Sequence, residues 1–378
     1  MERILIWGTG VIAEQVLGQC DVFGLYDIMG FIDNNADKRG KTFYGREIFT
    51  TDILRETKPD RIVILTVHYK EIEEQIRNEF PKLTAAVEEM NFFYKQTVIK
   101  RYRNSREPEI IRILEHLAEN DLQVFNYDFV KKYNEMCFRI ELDEPCGMYF
   151  VWHGGKRLYF SKTIKDKEEV ADYYRGVLME QDWESPHKYT DENFGIEKGD
   201  VVVDIGAAEG NFSLQVIEQV SRLYIIESDD GWIEALRETF RDYKEKVIII
   251  KKFVTSVDEG KYATLDSLIE EPVNFIKMDI EGNEWDALLG AEKMIGRSEN
   301  LKCAVCAYHG DFDEILIRVA MEKYGMDIST TQGYMWYPGT NRQTYVSTRL
   351  CRGIVRGIKT DWAGNKSGNQ TDEEGKSR

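Results

Sequence analysis

Short apolar runs alternate with amphipathic segments along the first hundred residues. RILIW (3–7), MGFID (29–33) and RIVILTV (61–67) are predicted to be strands, and the segments between them have helical spacing. This βαβαβ alternation predicts a parallel sheet with helices on its faces over residues 1–97. The start, MERILIWGTG, is expected to be a strand and a glycine turn, not a signal peptide.

The same alternation returns over residues 198–355, where five apolar runs are predicted to be strands: VVVDI (201–205), RLYIIES, KVIIIKKF, VNFIKMD and LKCAVCAYH. Residues 98–197 are less regular and contain helical segments and a β-hairpin pattern around a Gly-Gly pair. We therefore predict an α/β protein with two Rossmann-like domains joined by a helical and β-hairpin region.

The C-terminal end of the chain carries two further predictions. MDISTTQ and TYVSTRL are expected to form a closing antiparallel pair of strands. Residues 356–378 are mostly polar and glycine-rich, so they are predicted to be a disordered tail.

Length, charge and cysteine usage narrow the class of protein. The chain has 378 residues, which is long for a single core, and a formal net charge of −17, which disfavours nucleic acid as a partner. No apolar run approaches the length of a membrane span. The six cysteines are scattered, and Cys303 and Cys306 lie in an apolar run, so reduced core thiols and a cytoplasmic location are expected.

A glycine-rich turn follows the first predicted strand. GTGVIA (8–13) fits the pattern G-x-G-x-x-A, and Asp33 ends the second strand. Gly8 and Gly10 would let the backbone approach a phosphate at the helix N-terminus, and Asp33 could accept from ribose hydroxyls. The turn is therefore predicted to bind a nucleotide, and the alternative is a packing turn without a ligand.

A second turn, DIGAAEGNFS (204–213), follows the strand VVVDI. Gly206, Ala207 and Gly210 shape it, and Glu227 ends the next strand about twenty residues later, as a ribose-binding acid does. The turn also contains two acids, Asp204 and Glu209. Acids favour a cofactor with positive charge, such as S-adenosylmethionine, over NAD, whose pyrophosphate they would repel.

Three polar residues are predicted at the carboxyl ends of two neighbouring strands, where ligands bind in open α/β sheets. Asp279 and Glu281 follow VNFIKM, and His309 follows LKCAVCAY. His309 titrates near neutral pH when unperturbed, so it is a candidate general base, with the two carboxylates at the reaction centre. Alternatively, all three could hold Mg²⁺ or Mn²⁺, which is the less favoured reading.

Aromatic residues precede the strand VVVDI, among them Trp183 and Tyr189, together with His187. They could line a cleft for a sugar acceptor, since planar rings stack on sugar faces, or they could pack the hairpin. Both interpretations remain open from the sequence.

VVVDIGAAEGNFSL, TLDSLI, VNFIKMDIEGNEWDALLGAEKMI and CAYHGDFDEI resemble FkbM-type methyltransferases over about residues 145–350. This resemblance implies a class I methyltransferase fold with a mostly parallel seven-stranded sheet, S-adenosylmethionine as cofactor, and a sugar hydroxyl as a common acceptor. It implies that Asp204, Gly206 and Gly210 shape the cofactor turn. Ala208 departs from the family, where asparagine is expected, and Ser228-Asp229 departs where a proline often follows the ribose acid.

The N-terminal segments WGTGVIAEQV, GFIDNN, GKTFYGREIF and DRIVILTV resemble the small nucleotide-sugar-binding domain that precedes some sugar acyltransferases. The sequence thus predicts an O-methyltransferase acting on a nucleotide sugar or surface polysaccharide. Two alternatives remain: a non-catalytic nucleotide-sugar-binding scaffold in polysaccharide assembly, and an NAD-dependent nucleotide-sugar oxidoreductase. A homo-oligomer is also left open.

Overall fold

The computed structural model describes residues 1–339 and 347–359. The chain forms two compact units. Of the described residues, the first contains 1–135, 332–339 and 347–352, and the second contains 136–331 and 353–359. The predicted connecting region, 98–197, is therefore divided between them at residue 135.

The strands of the described residues are, in chain order, β1 Arg3–Trp7, β2 Asp27–Ile32, β3 Thr42–Phe43, β4 Arg46–Phe49, β5 Arg61–Ile64, β6 Val87–Glu89, β7 Ile140–Asp143, β8 Met148–His153, β9 Lys156–Tyr159, β10 Val201–Ile205, β11 Arg222–Glu227, β12 Val247–Lys251, β13 Phe253–Val254, β14 Tyr262–Ala263, β15 Phe275–Met278, β16 Leu301–Cys306, β17 Asp327–Thr330, β18 Met335–Trp336, β19 Leu350–Cys351 and β20 Ile354–Lys359.

The α-helices of the same residues are α1 Val11–Gln19, α2 Val22–Leu25, α3 Ile53–Glu56, α4 Tyr69–Glu79, α5 Asn91–Tyr102, α6 Pro108–Glu119, α7 Lys131–Asn134, α8 Lys167–Glu180, α9 Asn211–Val216, α10 Asp230–Thr239, α11 Leu265–Leu268, α12 Glu284–Leu289, α13 Glu292–Arg297 and α14 Asp313–Lys323. Among the described residues, none of the helices has the length and apolar composition that crossing a lipid bilayer requires.

The first unit is built on a sheet with the strand order β3-β4-β2-β1-β5-β6. All its neighbouring strands are parallel except β3 and β4. Strand β1 lies in the middle and is apolar and buried after its first residue, because helices cover both faces of a parallel sheet. The three strands predicted near residues 3–7, 29–33 and 61–67 are thus confirmed, with small shifts at their ends.

The second unit contains a sheet with the strand order β12-β11-β10-β15-β16-β20-β17, seven strands within the described residues. Strands β10, β11, β12, β15 and β16 are parallel, and β20 is antiparallel to both of its neighbours. The predicted fold class, α/β with a mostly parallel seven-stranded sheet, is confirmed. The predicted hairpin is also present, with Gly154 and Gly155 at positive φ between β8 and β9.

The C-terminal end differs from the prediction in two ways. Residues 356–359 belong to β20, which lies between β16 and β17, so the predicted tail begins too early; residues 360–378 are outside the described range. The partner of β17 is β20, not TYVSTRL, of which residues 344–346 are not described. Sequence alternation did not reveal β20 because its side chains are buried on both faces, and it contains Arg356 and Gly357.

Candidate functional site

In the first unit, Gly8, Gly10 and Asp33 line one cavity of about 850 Å³. Gly8 has a φ of 120°, and a Cβ atom there would lie 2.5 Å from the carbonyl oxygen of Leu65, so the turn requires glycine. Gly10 precedes α1, which has no side-chain hydrogen bond at its N-cap. The structure therefore brings together the three residues predicted for nucleotide binding.

The predicted ribose-binding acid of this unit already has a cation beside it. Lys38 Nζ lies 2.7 Å from Asp33 Oδ2, and Thr9 donates a hydrogen bond to the same oxygen. Burial opposes ionisation of Asp33, but the hydrogen bonds from Lys38 and Thr9 outweigh it and lower the pKa of the carboxyl. Asp33 is therefore ionised and held in one orientation at the cavity wall.

In the second unit, the turn after β10 packs directly under the loop after β15. Gly206 has a φ of 73°, and a Cβ atom there would lie 1.8 Å from the carbonyl oxygen of Asp279. Gly210, with a φ of 84°, donates its N–H to the carbonyl oxygen of Ala207 over 2.8 Å. Ala208, the departure from the family pattern, also has a positive φ, 47°. Only a chain with glycine at 206 can follow this path.

Glu227, at the carboxyl end of β11, is fixed by backbone donors. Its Oε2 accepts from the N–H of Ala208 over 3.0 Å. Its Oε1 accepts from the N–H groups of Ser228 and Asp229, over 2.6 and 2.9 Å. These bonds hold the carboxylate next to the glycine turn, and Oε2, which accepts one of the three, keeps a lone pair that can accept from a hydroxyl.

Asp204 is not a free acid of the turn. Its side chain is 1% exposed, and Lys277 Nζ lies 3.1 Å from Oδ1, while Ser213 donates to Oδ2 over 2.7 Å. Lys277 also donates to the carbonyl oxygen of Gly206. Burial opposes the charge of Lys277, but Asp204 and Asp279 outweigh it and raise the pKa of the lysine. The argument that Asp204 makes the turn acidic is thus wrong, because Lys277 neutralises it.

Glu209 is the acid of the turn without a cation of its own. Tyr173, on α8, donates to its Oε2 over 2.9 Å. Burial raises the pKa of the Glu209 carboxyl, and this hydrogen bond offsets only part of the effect. The preference of the turn for a positive ligand therefore rests on Glu209 and not on Asp204.

Asp279 lies at the centre of a group of donors. Tyr189 donates to Oδ2 over 2.9 Å, and Tyr308 lies 3.4 Å from Oδ1. Nε2 of His309 is 3.3 Å from Oδ1. Burial raises the pKa of this carboxyl, but His309 and Lys277 outweigh it and lower the pKa well below its usual range. Asp279 is therefore a permanent negative charge at the end of β15.

His309 sits between carboxylates on both sides of its ring. Nδ1 lies 3.1 Å from Oε1 of Glu284, and Nε2 faces Asp279 and, at 3.7 Å, Glu281. Burial lowers the pKa of His309, but the hydrogen bonds with Asp279 and Glu284 outweigh it and raise the pKa to about 10. The imidazole is therefore protonated at neutral pH. This corrects the role of general base that the sequence predicted for His309, because a protonated ring has no lone pair to accept a proton.

Two residues of the aromatic segment before β10, His187 and Tyr189, lie close to Asp279. His187 is buried, and its Nε2 lies 2.9 Å from the hydroxyl of Tyr308 and 3.8 Å from Oδ2 of Asp279. Burial lowers the pKa of His187 to about 4, so it is neutral. Trp183, in contrast, is 73% exposed.

The residues predicted as an alternative metal site are only partly brought together. Asp279, Glu284 and His309 offer ligand atoms within 4.8 Å of one another, whereas Glu281 is 62% exposed and has a positive φ of 59°. A metal-bound histidine must be neutral and offers one ring nitrogen to the ion. Here both nitrogens face carboxylates, which fits an imidazolium. A metal-bound histidine is held in the same way, with one nitrogen toward the ion and the other donating to a carboxylate, so Asp279, Glu284 and His309 stay a candidate ligand set.

Comparison with known families identifies part of the second unit. Residues 197–326 match the model of the family described as Methyltransferase FkbM domain. This segment contains the glycine turn, Glu227, Asp279 and His309. The second unit thus contains a segment that is similar to the FkbM methyltransferase domain. The match supports the predicted class of protein, a methyltransferase.

Other proteins resemble shorter or more distant parts of the chain. A probable ribosomal RNA small subunit methyltransferase A from Methanococcoides burtonii is 32% identical over 84 residues, which is 21% of this chain and 31% of that protein. The chain thus spans about a third of the length of this curated relative.

The chain also matches two solved structures at low similarity. The methyltransferase FkbM from Methylobacillus flagellatus is 17% identical, covers 94% of this chain and 90% of its own, and has a TM-score of 0.40. The magnesium protoporphyrin IX methyltransferase from Synechocystis PCC 6803, solved with bound SAM, is 13% identical, covers 43% of this chain and 71% of its own, and has a TM-score of 0.30.

Residues 1–81, in the first unit, match a family described as C2185-like, N-terminal.

Two residues around the FkbM site were missed by sequence reasoning: Lys277 and Glu284. Lys277 lies within an apolar strand, so its pattern indicated only a strand. Glu284 begins α12, accepts the N–H of Ile280 over 2.8 Å and faces His309. A charged residue in a buried strand is itself a signal, because such residues need a partner.

Proposed function

We propose that the chain is an S-adenosylmethionine-dependent O-methyltransferase that acts on a sugar hydroxyl, of a nucleotide sugar or a surface polysaccharide. The observation that carries the proposal is the Glu227 carboxylate, fixed by three backbone N–H groups beside the glycine turn of an FkbM domain. A carboxylate at this point of a parallel sheet suits the hydroxyls of a ribose.

The residues of the turn would hold the cofactor, which supplies an electrophilic methyl group. Gly206, Ala207 and Gly210 would shape the turn at the end of β10 around the cofactor, and Glu227 would accept from the ribose hydroxyls. Glu209 and Asp279 are the acids that face this region, and they favour a ligand with positive charge. A dinucleotide diphosphate would meet the same acids and be repelled, which disfavours the oxidoreductase alternative for this site.

The proton of the acceptor hydroxyl needs a group that can take it. His309 is an imidazolium, and Asp279 is bound in a buried ion pair with it. Glu281 is 62% exposed, so it can receive a proton without breaking that pair. His309 and Asp279 then act by keeping Glu281 and the acceptor in place, and Glu281 takes the role of base.

Replacing Glu281 with glutamine is expected to lower the rate of methyl transfer by roughly a hundredfold, the size typical for loss of a general base. The affinity for S-adenosylhomocysteine should stay within about twofold, because Glu281 is not placed in the cofactor turn. Single-turnover transfer of a labelled methyl group and calorimetry measure the two quantities. An unchanged rate would remove Glu281 from the reaction.

Replacing Glu227 with alanine is expected to weaken binding of S-adenosylhomocysteine by roughly 10- to 100-fold, since hydrogen bonds to a charged group contribute about 1.5–3 kcal/mol. Isothermal titration calorimetry measures this directly. Glu245→Ala serves as the control, because Glu245 is an exposed acid outside the site. Equal loss of affinity in both variants would contradict the ribose role.

Calorimetry and activity together also separate the competing functions. Binding of S-adenosylmethionine and methyl transfer to candidate nucleotide sugars support the enzyme. Binding of a nucleotide sugar without any affinity for S-adenosylmethionine would support the scaffold. Binding of NADH in the cavity of the first unit, without affinity of the chain for S-adenosylhomocysteine, would support an oxidoreductase that acts through the first unit.

The first unit is proposed to bind the nucleotide sugar, at the cavity lined by Gly8, Gly10 and Asp33. The fixed Asp33 carboxylate and the uncapped start of α1 support this role. Trp7 also lines the cavity, so its fluorescence can report binding. Titration with UDP-glucose and with NADH tests which class of ligand enters.

A further inference from the structure

The cavity of the first unit lies where the strand order of its sheet reverses. Strand β1 pairs with β2 on one side and with β5 on the other. The residues that line the cavity come from the turn after β1, the end of β2 and the segment that leads from β5 into α4. Ligands of open α/β sheets bind in such a crevice, and a volume of about 850 Å³ lies in the range of small-molecule sites.

Lys38 reaches from the short segment after β2 to the glycine turn. Its Nζ lies 2.7 Å from Oδ2 of Asp33 and 3.0 Å from Oγ1 of Thr9, and Thr9 also donates to Asp33. Thr9 directly precedes Gly10, the N-cap of the nine-residue helix α1. The ammonium group is therefore held at the start of this helix. Lys38 lines the cavity and its side chain is 36% exposed, so a ligand can reach it.

Several hydrogen-bond donors of the cavity wall are left for a ligand. An ammonium group has three N–H donors, and the contacts of Lys38 with Asp33 and Thr9 use two of them. Helix α1 has no side-chain cap at its N-terminus. Trp7 also lines the cavity and is 1% exposed, and its Nε1 has no hydrogen-bond partner among the described residues. Because a buried donor without a partner costs stability, this wall favours a ligand group that has several acceptor oxygens.

The charges around the cavity permit an anion. Among the described residues, the charged or titratable side chains that line it are those of Asp33, Lys38, His68 and Glu71. Asp33 and Lys38 neutralise each other. Glu71 lies 2.9 Å from Nδ1 of His68, and these two side chains are 73% and 67% exposed, so water and salt screen their charges. The positive end of the α1 dipole then favours a negative group at the glycine turn.

Apolar side chains form much of the remaining wall. Val11, at the first position of α1, and Val67, after β5, both line the cavity and are 66% and 76% exposed. A ring of the ligand would cover these two side chains, since small-molecule sites combine apolar walls with a few placed polar groups. The cavity therefore fits a ligand with an anionic group at the start of α1 and a ring between apolar walls.

We propose that Lys38 and the N-terminus of α1 together bind the diphosphate of a nucleotide sugar, and that Asp33 and Thr9 are positioning residues that hold the ammonium group in place. The inference rests on the proposed nucleotide-sugar role of the first unit and changes the part played by Asp33. In a dinucleotide site, the acid at this point accepts from ribose hydroxyls. Here Oδ2 of Asp33 is engaged by Lys38 and Thr9, so the ligand meets the ammonium donor instead.

The test is calorimetry of the full chain with UDP, GDP and ADP, each compared with its nucleoside. Wild-type protein should bind at least one diphosphate about tenfold or more tightly than the nucleoside. Lys38→Met should weaken binding of that diphosphate by roughly 10- to 100-fold, the size expected for loss of a hydrogen bond between charged groups, and leave the nucleoside within about twofold. Lys41→Met is the control and should bind as wild type, because Lys41 is exposed and lies outside the cavity lining.

A double variant separates positioning of Lys38 from ribose binding by Asp33. Lys38→Met leaves the Asp33 carboxylate without its cation beside the diphosphate. Adding Asp33→Asn removes this repulsion, so the double variant should regain part of the affinity for the diphosphate. If Asp33 bound the ribose, the double variant would instead lose further affinity, for the diphosphate and the nucleoside alike.

Each contrary outcome has a separate meaning. Equal affinity of wild type and Lys38→Met for the diphosphate, or an equal loss for the nucleoside, would overturn the contact between Lys38 and the diphosphate. A double variant that binds more weakly than Lys38→Met would overturn the positioning role of Asp33. Failure of the wild-type protein to bind any of the three diphosphates would instead overturn the proposed nucleotide-sugar role of the first unit.

Discussion

Replacing Lys277 with methionine is expected to lower the free energy of unfolding of the second unit by about 3–5 kcal/mol. The lysine is 5% exposed and its partner Asp204 is 1% exposed. Removing the cation leaves the carboxylate of Asp204 buried in the sheet without a compensating charge. Loss of one partner of a buried ion pair destabilises a fold more than replacement of both partners does. Urea unfolding followed by circular dichroism measures the loss.

A double variant separates the charge from the packing. Asp204→Asn combined with Lys277→Met removes both charges, so it should recover a large part of the stability that the single methionine variant loses. Lys251→Met, on strand β12 of the same sheet, breaks an exposed pair with Asp230 and should change stability by less than about 1 kcal/mol. A methionine variant at 277 as stable as that control would contradict the ion pair.

Replacing His309 with glutamine is expected to cost on the order of 3–5 kcal/mol at pH 6 and progressively less at higher pH, from a pKa shift converted at about 1.4 kcal/mol per unit. The pKa of His309 is raised from 6.5 to about 10 in the folded protein. Because this pKa is higher in the folded protein than in the unfolded chain, the charged ring of His309 stabilises the fold fully below pH 6.5. This stabilisation is lost as the pH rises through 10. Urea unfolding at pH 6, 8 and 10 measures the difference between the variant and wild type.

The control for this series is Arg318→Gln, which removes a partly exposed cation of α14 that pairs with Glu314. It should shift stability by under about 1 kcal/mol, with no trend between pH 6 and 10. A difference for His309→Gln that does not shrink with pH would mean that the ring contributes by packing and not as an imidazolium. In that case His309 would again be open as a base.

The predicted site residues were found from local rules. Glycine at 206 and 210 after an apolar strand, and an acid about twenty residues on, required only the geometry of a βαβ unit. Asp279, Glu281 and His309 were placed near one another because parallel strands end at the same edge of a sheet. In the structure, Nε2 of His309 lies 3.3 Å from Oδ1 of Asp279 and 3.7 Å from Oε2 of Glu281.

The charge states of the same residues were not predictable in this way. The interpretation of Asp204 as an acid facing the ligand was wrong because Lys277, 73 positions away, lies against it across the β10–β15 pair. The interpretation of His309 as a base assumed its ordinary pKa, which the carboxylates of Asp279 and Glu284 change.

The strand β20 shows the same limit for the fold. With β20 between β16 and β17, the sheet has the seven strands that were predicted. Residues 356–359 of this strand were nevertheless predicted from the sequence to belong to a disordered tail. This antiparallel strand is inserted between two others and contains Arg356, so its sequence lacks the alternation of apolar and polar residues that would predict a strand. Arg356 is tolerated there because it pairs with Asp191, at a separation of 165 residues.

The sequence by itself determined the α/β alternation, the positions of the glycine turns and the edge of the sheet where the acids gather, because these depend on spacing and backbone conformation within a few dozen residues. Only the tertiary structure decided which acids are free to meet a ligand, which are neutralised, and which imidazole is charged. Those properties depend on burial and on partners that are distant in the chain, and a pKa responds to both.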